Sequence, residues 1–110
     1  MSANTYSTLG EFFPELAAEL TALLKCSNRS DLSNQIIDLK IVDRCRCGDD
    51  FCAAIYTVPR PLSKVLGSPQ CIELEPAEGM IILDACNGQI TGIEVLFRDE
   101  IRKKLLELLP

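Results

Sequence analysis

Asn87-Gly88 separates two β-branched, apolar runs, Gly79-Met-Ile-Ile-Leu-Asp-Ala-Cys86 and Gln89-Ile-Thr-Gly-Ile-Glu-Val-Leu-Phe-Arg98. An Asn-Gly pair between such runs is the strongest short-range hairpin signal, because both central residues of a type I′ turn need positive φ. The turn sets an expected register: Cys86 opposite Gln89, Asp84 opposite Thr91, Ile82 opposite Ile93 and Met80 opposite Val95. Alternation then places Met80, Ile82, Ile93, Val95 and Phe97 on one face. Ile81, Leu83, Ala85, Ile90, Gly92, Glu94 and Leu96 fall on the other. Both faces read as largely apolar, so each needs cover, one from helices of the same chain and one from a second copy or another protein. The same register sends Asp84 and Glu94 to opposite faces and excludes a carboxylate pair.

With 110 residues, 47% hydrophobic and 25% charged, the chain suits a single globular domain over 1-110. A net charge of −5 without a basic block opposes nucleic acid as a partner. No apolar run reaches the length of a membrane span, and the first residues lack signal-peptide character, which points to a cytoplasmic protein. There is no histidine, which removes Ser-His and Cys-His nucleophile pairs and all His-containing metal sites.

Residues 1-7 are unpatterned, and fraying is expected there. Thr8 and Glu11 have capping-box spacing, and Pro14 suits the first position of the main helix. Leu16, Leu20, Leu23 and Leu24 give that helix its apolar stripe. A polar connector with room for one helical turn covers Ser27 to Gln35. Alternation predicts a strand from Ile37 to Cys47, a turn at Gly48-Asp49-Asp50 and a returning strand from Phe51 to Val58. A Pro-rich loop runs from Pro59 to Pro69, followed by a short strand from Cys71 to Leu74. After the hairpin, Asp99 is the expected cap of a last helix with Ile101, Leu105 and Leu108 inward. The expected fold is α+β: an antiparallel β-meander of about five strands, with an N-terminal and a C-terminal helix packed on one face.

Chemistry concentrates in Cys45-Arg46-Cys47-Gly48-Asp49-Asp50-Phe51-Cys52. A turn centred on Asp49-Asp50 brings Cys47 opposite Cys52, with Cys45 on the same side. Three readings stay open. Cys45, Cys47 and Cys52 share parity with Ala54, Tyr56 and Val58, so they are small core residues if that face is buried. Alternatively they hold zinc as the only implied cofactor, with a fourth ligand from Cys26, Cys71, Cys86 or Asp43, although the usual pair of Cys-x-x-Cys knuckles is absent. A reversible Cys47–Cys52 disulfide or other thiol redox role is the third. Arg60 and Lys64 in the Pro-rich loop are candidate anion-binding residues. No residue set has the pattern of a catalytic site.

The motif formed by Cys45, Cys47, Gly48 and Cys52, with Gly79-Met-Ile-Ile-Leu-Asp84 and Ile93-Glu-Val-Leu-Phe-Arg-Asp99, resembles a group of small uncharacterised bacterial proteins that carry a Cys-x-Cys-Gly-x-x-x-Cys hairpin. Gly92-Ile-Glu-Val-Leu96 is also similar to the last strand of a second uncharacterised family of short β-meanders. The resemblance implies an independent small bacterial domain and assigns no activity. The functional expectation is a non-catalytic protein- or ligand-binding domain, acting as a homodimer or on another protein. A zinc-stabilised module or a thiol redox protein is the alternative.

Overall fold

A computed structural model describes residues 7-45, 50-58 and 69-109, with Pro69 described by its backbone. The chain opens with α1 (Leu9–Phe12), where Thr8 and Glu11 form the reciprocal capping box that their spacing predicts. Phe13 breaks the helical path, and Pro14 starts α2 (Pro14–Cys26), where its missing N–H costs nothing. Asn28 at φ 58 ends α2. There the Arg29 N–H reaches the Leu24 carbonyl at 2.8 Å and the Asn28 N–H reaches Lys25 at 3.1 Å, the bonding of a Schellman cap.

The strand expected from Ile37 to Cys47 is mostly absent. α3 (Ser30–Ser33) is the helical turn for which the polar connector had room, a 3₁₀ turn (Ile36–Asp38) opens the expected strand, and among the described residues β1 is only Asp43–Arg44. Leu32 and Ile36, four residues apart, are both fully buried, while Ile37 is 62% exposed, so helical spacing prevails over alternation here. The backbone of this stretch bonds to the N-terminal segment: the Leu9 N–H to the Leu39 carbonyl at 2.7 Å, and the Ile41 N–H to Ser7 at 2.8 Å. Ser7 is therefore anchored; the rest of the segment expected to fray lies outside the described residues.

β2 (Cys52–Tyr56), β3 (Pro69–Leu74), β4 (Met80–Cys86) and β5 (Gln89–Leu96) complete a five-stranded antiparallel sheet in the order β1-β2-β5-β4-β3. Successive turns join β3, β4 and β5, and β2 docks on β5 so that the longest strand is central. The final helix, α4 (Asp99–Leu108), begins at Asp99 itself, with Arg98 as the capping position and no side-chain cap. Arg98 instead clamps α2, donating to both carboxylate oxygens of Glu19 at 3.1 Å and to Glu100 at 3.3 Å. The architecture is α+β, with one core formed by Leu9, Leu16, Leu20, Leu24, Ile36, Ile101 and Leu105 from the helical segments against one sheet face.

Asn87 and Gly88 have φ 52 and φ 78, and Cys86 pairs with Gln89, as the turn chemistry requires. Two residues further the expected register fails. Ala85 pairs with Ile90 but Asp84 pairs with Gly92, leaving Thr91 as the extra residue of a β-bulge. From there Leu83 lies opposite Ile93, Ile82 opposite Glu94, Ile81 opposite Val95 and Met80 opposite Leu96. Ile81, Leu83, Ala85, Ile90, Ile93 and Val95 are consequently gathered on the core face, each 0% or 1% exposed. The opposite face, here called the outer face, receives Met80, Ile82, Asp84, Gly92, Glu94 and Leu96. Its character is mixed rather than apolar.

Candidate functional site on the outer face of the sheet

Cross-strand pairing carries the outer face in rows over neighbouring strands. One row runs Asp43, Tyr56, Gly92, Asp84, Cys71, touching all five strands. The next runs Ala54, Glu94, Ile82, Glu73, and a third runs Cys52, Leu96, Met80. Asp84 and Glu94 are therefore diagonal neighbours on one face, correcting the expectation that they point apart. The extra residue at Thr91 reverses the side on which every later β5 residue emerges.

Gly92 leaves a gap between Tyr56 and Asp84 on the central strand. A Cβ there would meet Asp84 Oδ2 at 3.4 Å, so the Asp84 carboxylate leans over the space that a side chain would fill. Asp84 also accepts from the Cys71 thiol at 3.3 Å. That hydrogen bond, followed by the negative charge of Asp84, raises the Cys71 pKa. Cys71 is thus held as a thiol, the opposite of an activated nucleophile. Glu94 is half-buried, and its pKa is also raised, first by desolvation and then by the Asp84 charge. Among the described residues no hydrogen bond or ion pair reaches its carboxylate.

Apolar side chains border this polar centre at one end of the sheet. Phe51, Met80 and Phe97 are 39%, 45% and 60% exposed. The Phe51 and Phe97 rings stack with centroids 5.1 Å apart and planes at 17°. The Phe97 N–H bonds the Phe51 carbonyl at 2.9 Å, so both rings adjoin the row of Cys52, Leu96 and Met80. Phe97 has φ 63, a left-handed conformation unusual for a bulky residue.

The cysteine hairpin lies partly outside the described residues: Arg46, Cys47, Gly48 and Asp49 are not described, nor are Arg60 and Lys64 of the Pro-rich loop. Asp43 pairs with Tyr56 and Arg44 with Ile55, the register that a turn centred on Asp49-Asp50 implies. Cys45 and Cys52 are half-buried. Of the face expected to be buried, Ala54 and Val58 are buried at 5% and 6% exposure, whereas Cys52 and Tyr56 are half-buried on the outer face with Glu94 and Gly92, and the main core takes Ala53 and Ile55 from the opposite side. Cys71 lies three strands across from Cys52 and four residues further along the sheet, and does not complete a site with it. Cys86 is buried beside the Asn87-Gly88 turn and Cys26 is exposed on α2. Among the described residues no group of three Cys, Asp or Glu side chains is placed to hold a metal ion, and no helix is long and apolar enough to cross a membrane.

Clefts on the helical side lack a convergent reactive set. A groove of about 430 Å³ between α2 and Ile37 is lined by Gly10, Pro14, Ala17, Ala18, Thr21 and Lys25 among others. Another is closed chemically by the mutual pairing of Arg98, Glu19 and Glu100. No pattern in the sequence signals the Cys71, Asp84 and Glu94 cluster, because its formation depends on one extra residue at Thr91. No family model matches the chain, and no curated protein or solved structure is significantly similar to it.

Proposed function

We propose that this chain is a non-catalytic protein-binding domain that engages its partner through the outer face of the sheet. The observation that carries the reading is Phe97. A side chain this large in a left-handed backbone conformation costs on the order of 1 kcal/mol relative to glycine. Its ring nevertheless stays 60% exposed, stacked on an exposed Phe51 and beside an exposed Met80. Folding alone gains little from such an arrangement, whereas a partner that covers the row recovers the apolar burial. Helices take up the other sheet face, which leaves Met80, Leu96 and the carboxylates on the broad outer surface, with the stacked Phe51 and Phe97 rings at its end.

A photo-crosslinking benzoylphenylalanine in place of Phe97 tests this. The expected result, in extract from the native cells, is a discrete adduct that disappears when Met80→Asp is added and does not form from the same probe at Glu107. The absence of a discrete adduct, or one indifferent to Met80→Asp, overturns the reading. An adduct of twice the chain mass identifies a second copy as the partner, and sedimentation then shows a dimer. Phe97→Gly separates binding from folding: its stability stays within about 1 kcal/mol of the wild type, and competition for the adduct is lost.

A further inference from the structure

We propose that the partner presents a cationic, partly apolar segment, with Lys or Arg side chains meeting Asp84 and Glu94 and an apolar side chain resting on Met80 and Leu96. The inference rests on the binding reading above and specifies the partner's chemistry. Its ground is the sorting of charge across the sheet. The described strands carry Asp43, Arg44, Glu73, Asp84 and Glu94 as their only charged residues. Arg44, the one cation among them, lies opposite Ile55 on the core side, and its Nε donates to the Leu109 carbonyl at the end of α4. Pairing places all the carboxylates on the outer face.

The Asp84–Glu94 pair has the geometry to receive a cation. Diagonal neighbours across antiparallel strands sit about 7–8 Å apart at Cα, within reach of one long side chain. The missing side chain at Gly92 lets the Asp84 carboxylate lean in over the central strand that carries Glu94. Glu94 is half-buried yet meets no cation among the described residues, so a guanidinium or ammonium group there offsets both the desolvation and the Asp84 repulsion. Charge also argues against the other occupants. A two-fold dimer through this face would set the carboxylates of one copy against those of the next. Phosphate-bearing surfaces meet the same repulsion.

Titration of the ¹⁵N-labelled full chain with two synthetic nonapeptides, Val alternating with Lys and Val alternating with Glu, tests the inference. The Lys peptide is expected to give saturable shifts in the amides of 80-84 and 92-97, weakening as salt is raised, while the Glu peptide gives none. Asp84→Asn with Glu94→Gln should weaken the Lys peptide roughly tenfold. A resonance map otherwise unchanged from the wild type shows that the variant is folded. If the Glu peptide binds this face equally well, the cationic partner is ruled out and the docking surface stands. If Lys-peptide shifts spread over Glu11 and Glu15 without preference for the sheet, the inference is overturned as nonspecific attraction. Silence from both peptides also overturns it, and the Phe97 crosslink then decides separately whether the face binds protein.

Discussion

Glu94 sits where a sheet ordinarily carries either a solvated charge or a core residue, and its environment suits neither. Because desolvation and then Asp84 raise its folded-state pKa above the ordinary 4.5, the native state holds its proton more tightly than the unfolded chain does. Linkage then makes Glu94 a cost to folding above its folded pKa, and one relieved as pH falls through that value. Glu94→Gln should therefore raise the urea midpoint at pH 7.5, and the gain should shrink towards pH 4; a variant less stable than wild type at neutral pH contradicts this electrostatic account. Gly79 illustrates a different constraint. At φ 66 it is left-handed, and a Cβ would collide with the Leu96 carbonyl, so the turn into β4 admits glycine alone.

The bulge is the decisive element. Its backbone groups are satisfied from far away in sequence: the Gln35 side chain donates to the Gly88 carbonyl at 2.7 Å and accepts from the Ile90 N–H at 3.1 Å. Thr57 donates its hydroxyl to the Ile90 carbonyl at 2.9 Å and its N–H to the Thr91 carbonyl at 3.1 Å. Thr57→Val keeps the shape and removes a buried donor, which should cost about 1–3 kcal/mol, read by urea unfolding, with faster amide exchange at 89-92. Deletion of Thr91 removes the bulge yet leaves Gly92 opposite Asp84 and Ile93 opposite Leu83, so Ile93 and Val95 keep the core face. That chain should still unfold cooperatively in urea, at a lower midpoint because the Thr57 N–H loses the Thr91 carbonyl. In the sequence, Gln35 is a polar connector residue and Thr57 a strand-end residue; no local pattern links either to the hairpin.

At the level of the whole molecule, the helices and the sheet share one core, and the two sheet faces have different duties. Ile93 and Ile82 make the comparison directly. Ile93 is fully buried between sheet and helices, and Ile93→Ala should cost about 2–5 kcal/mol. Ile82 is half-exposed beside Glu94, and Ile82→Ala should cost about 1 kcal/mol or less. Equal losses by chemical denaturation would show that both faces are cored. The contrast also bears on binding, since truncating Ile82 should weaken partner capture more than it weakens the fold.

Local chemistry in the sequence determined the elements whose physics is local. Asn87-Gly88 specified its turn through the positive φ that both positions need, Thr8 and Glu11 specified a cap through their spacing, and Pro14 specified where α2 starts. The stretch from Ile37 reads as a strand because a short apolar pattern does not distinguish a helical turn from an edge strand until its backbone finds partners, here Ser7 and Leu9. Only the tertiary structure decided which sheet face is core, because one extra residue at Thr91 inverts the alternation, and its hydrogen bonds come from Gln35 and Thr57. The pairing of Asp84 with Glu94, and the surface they form, follows from that inversion.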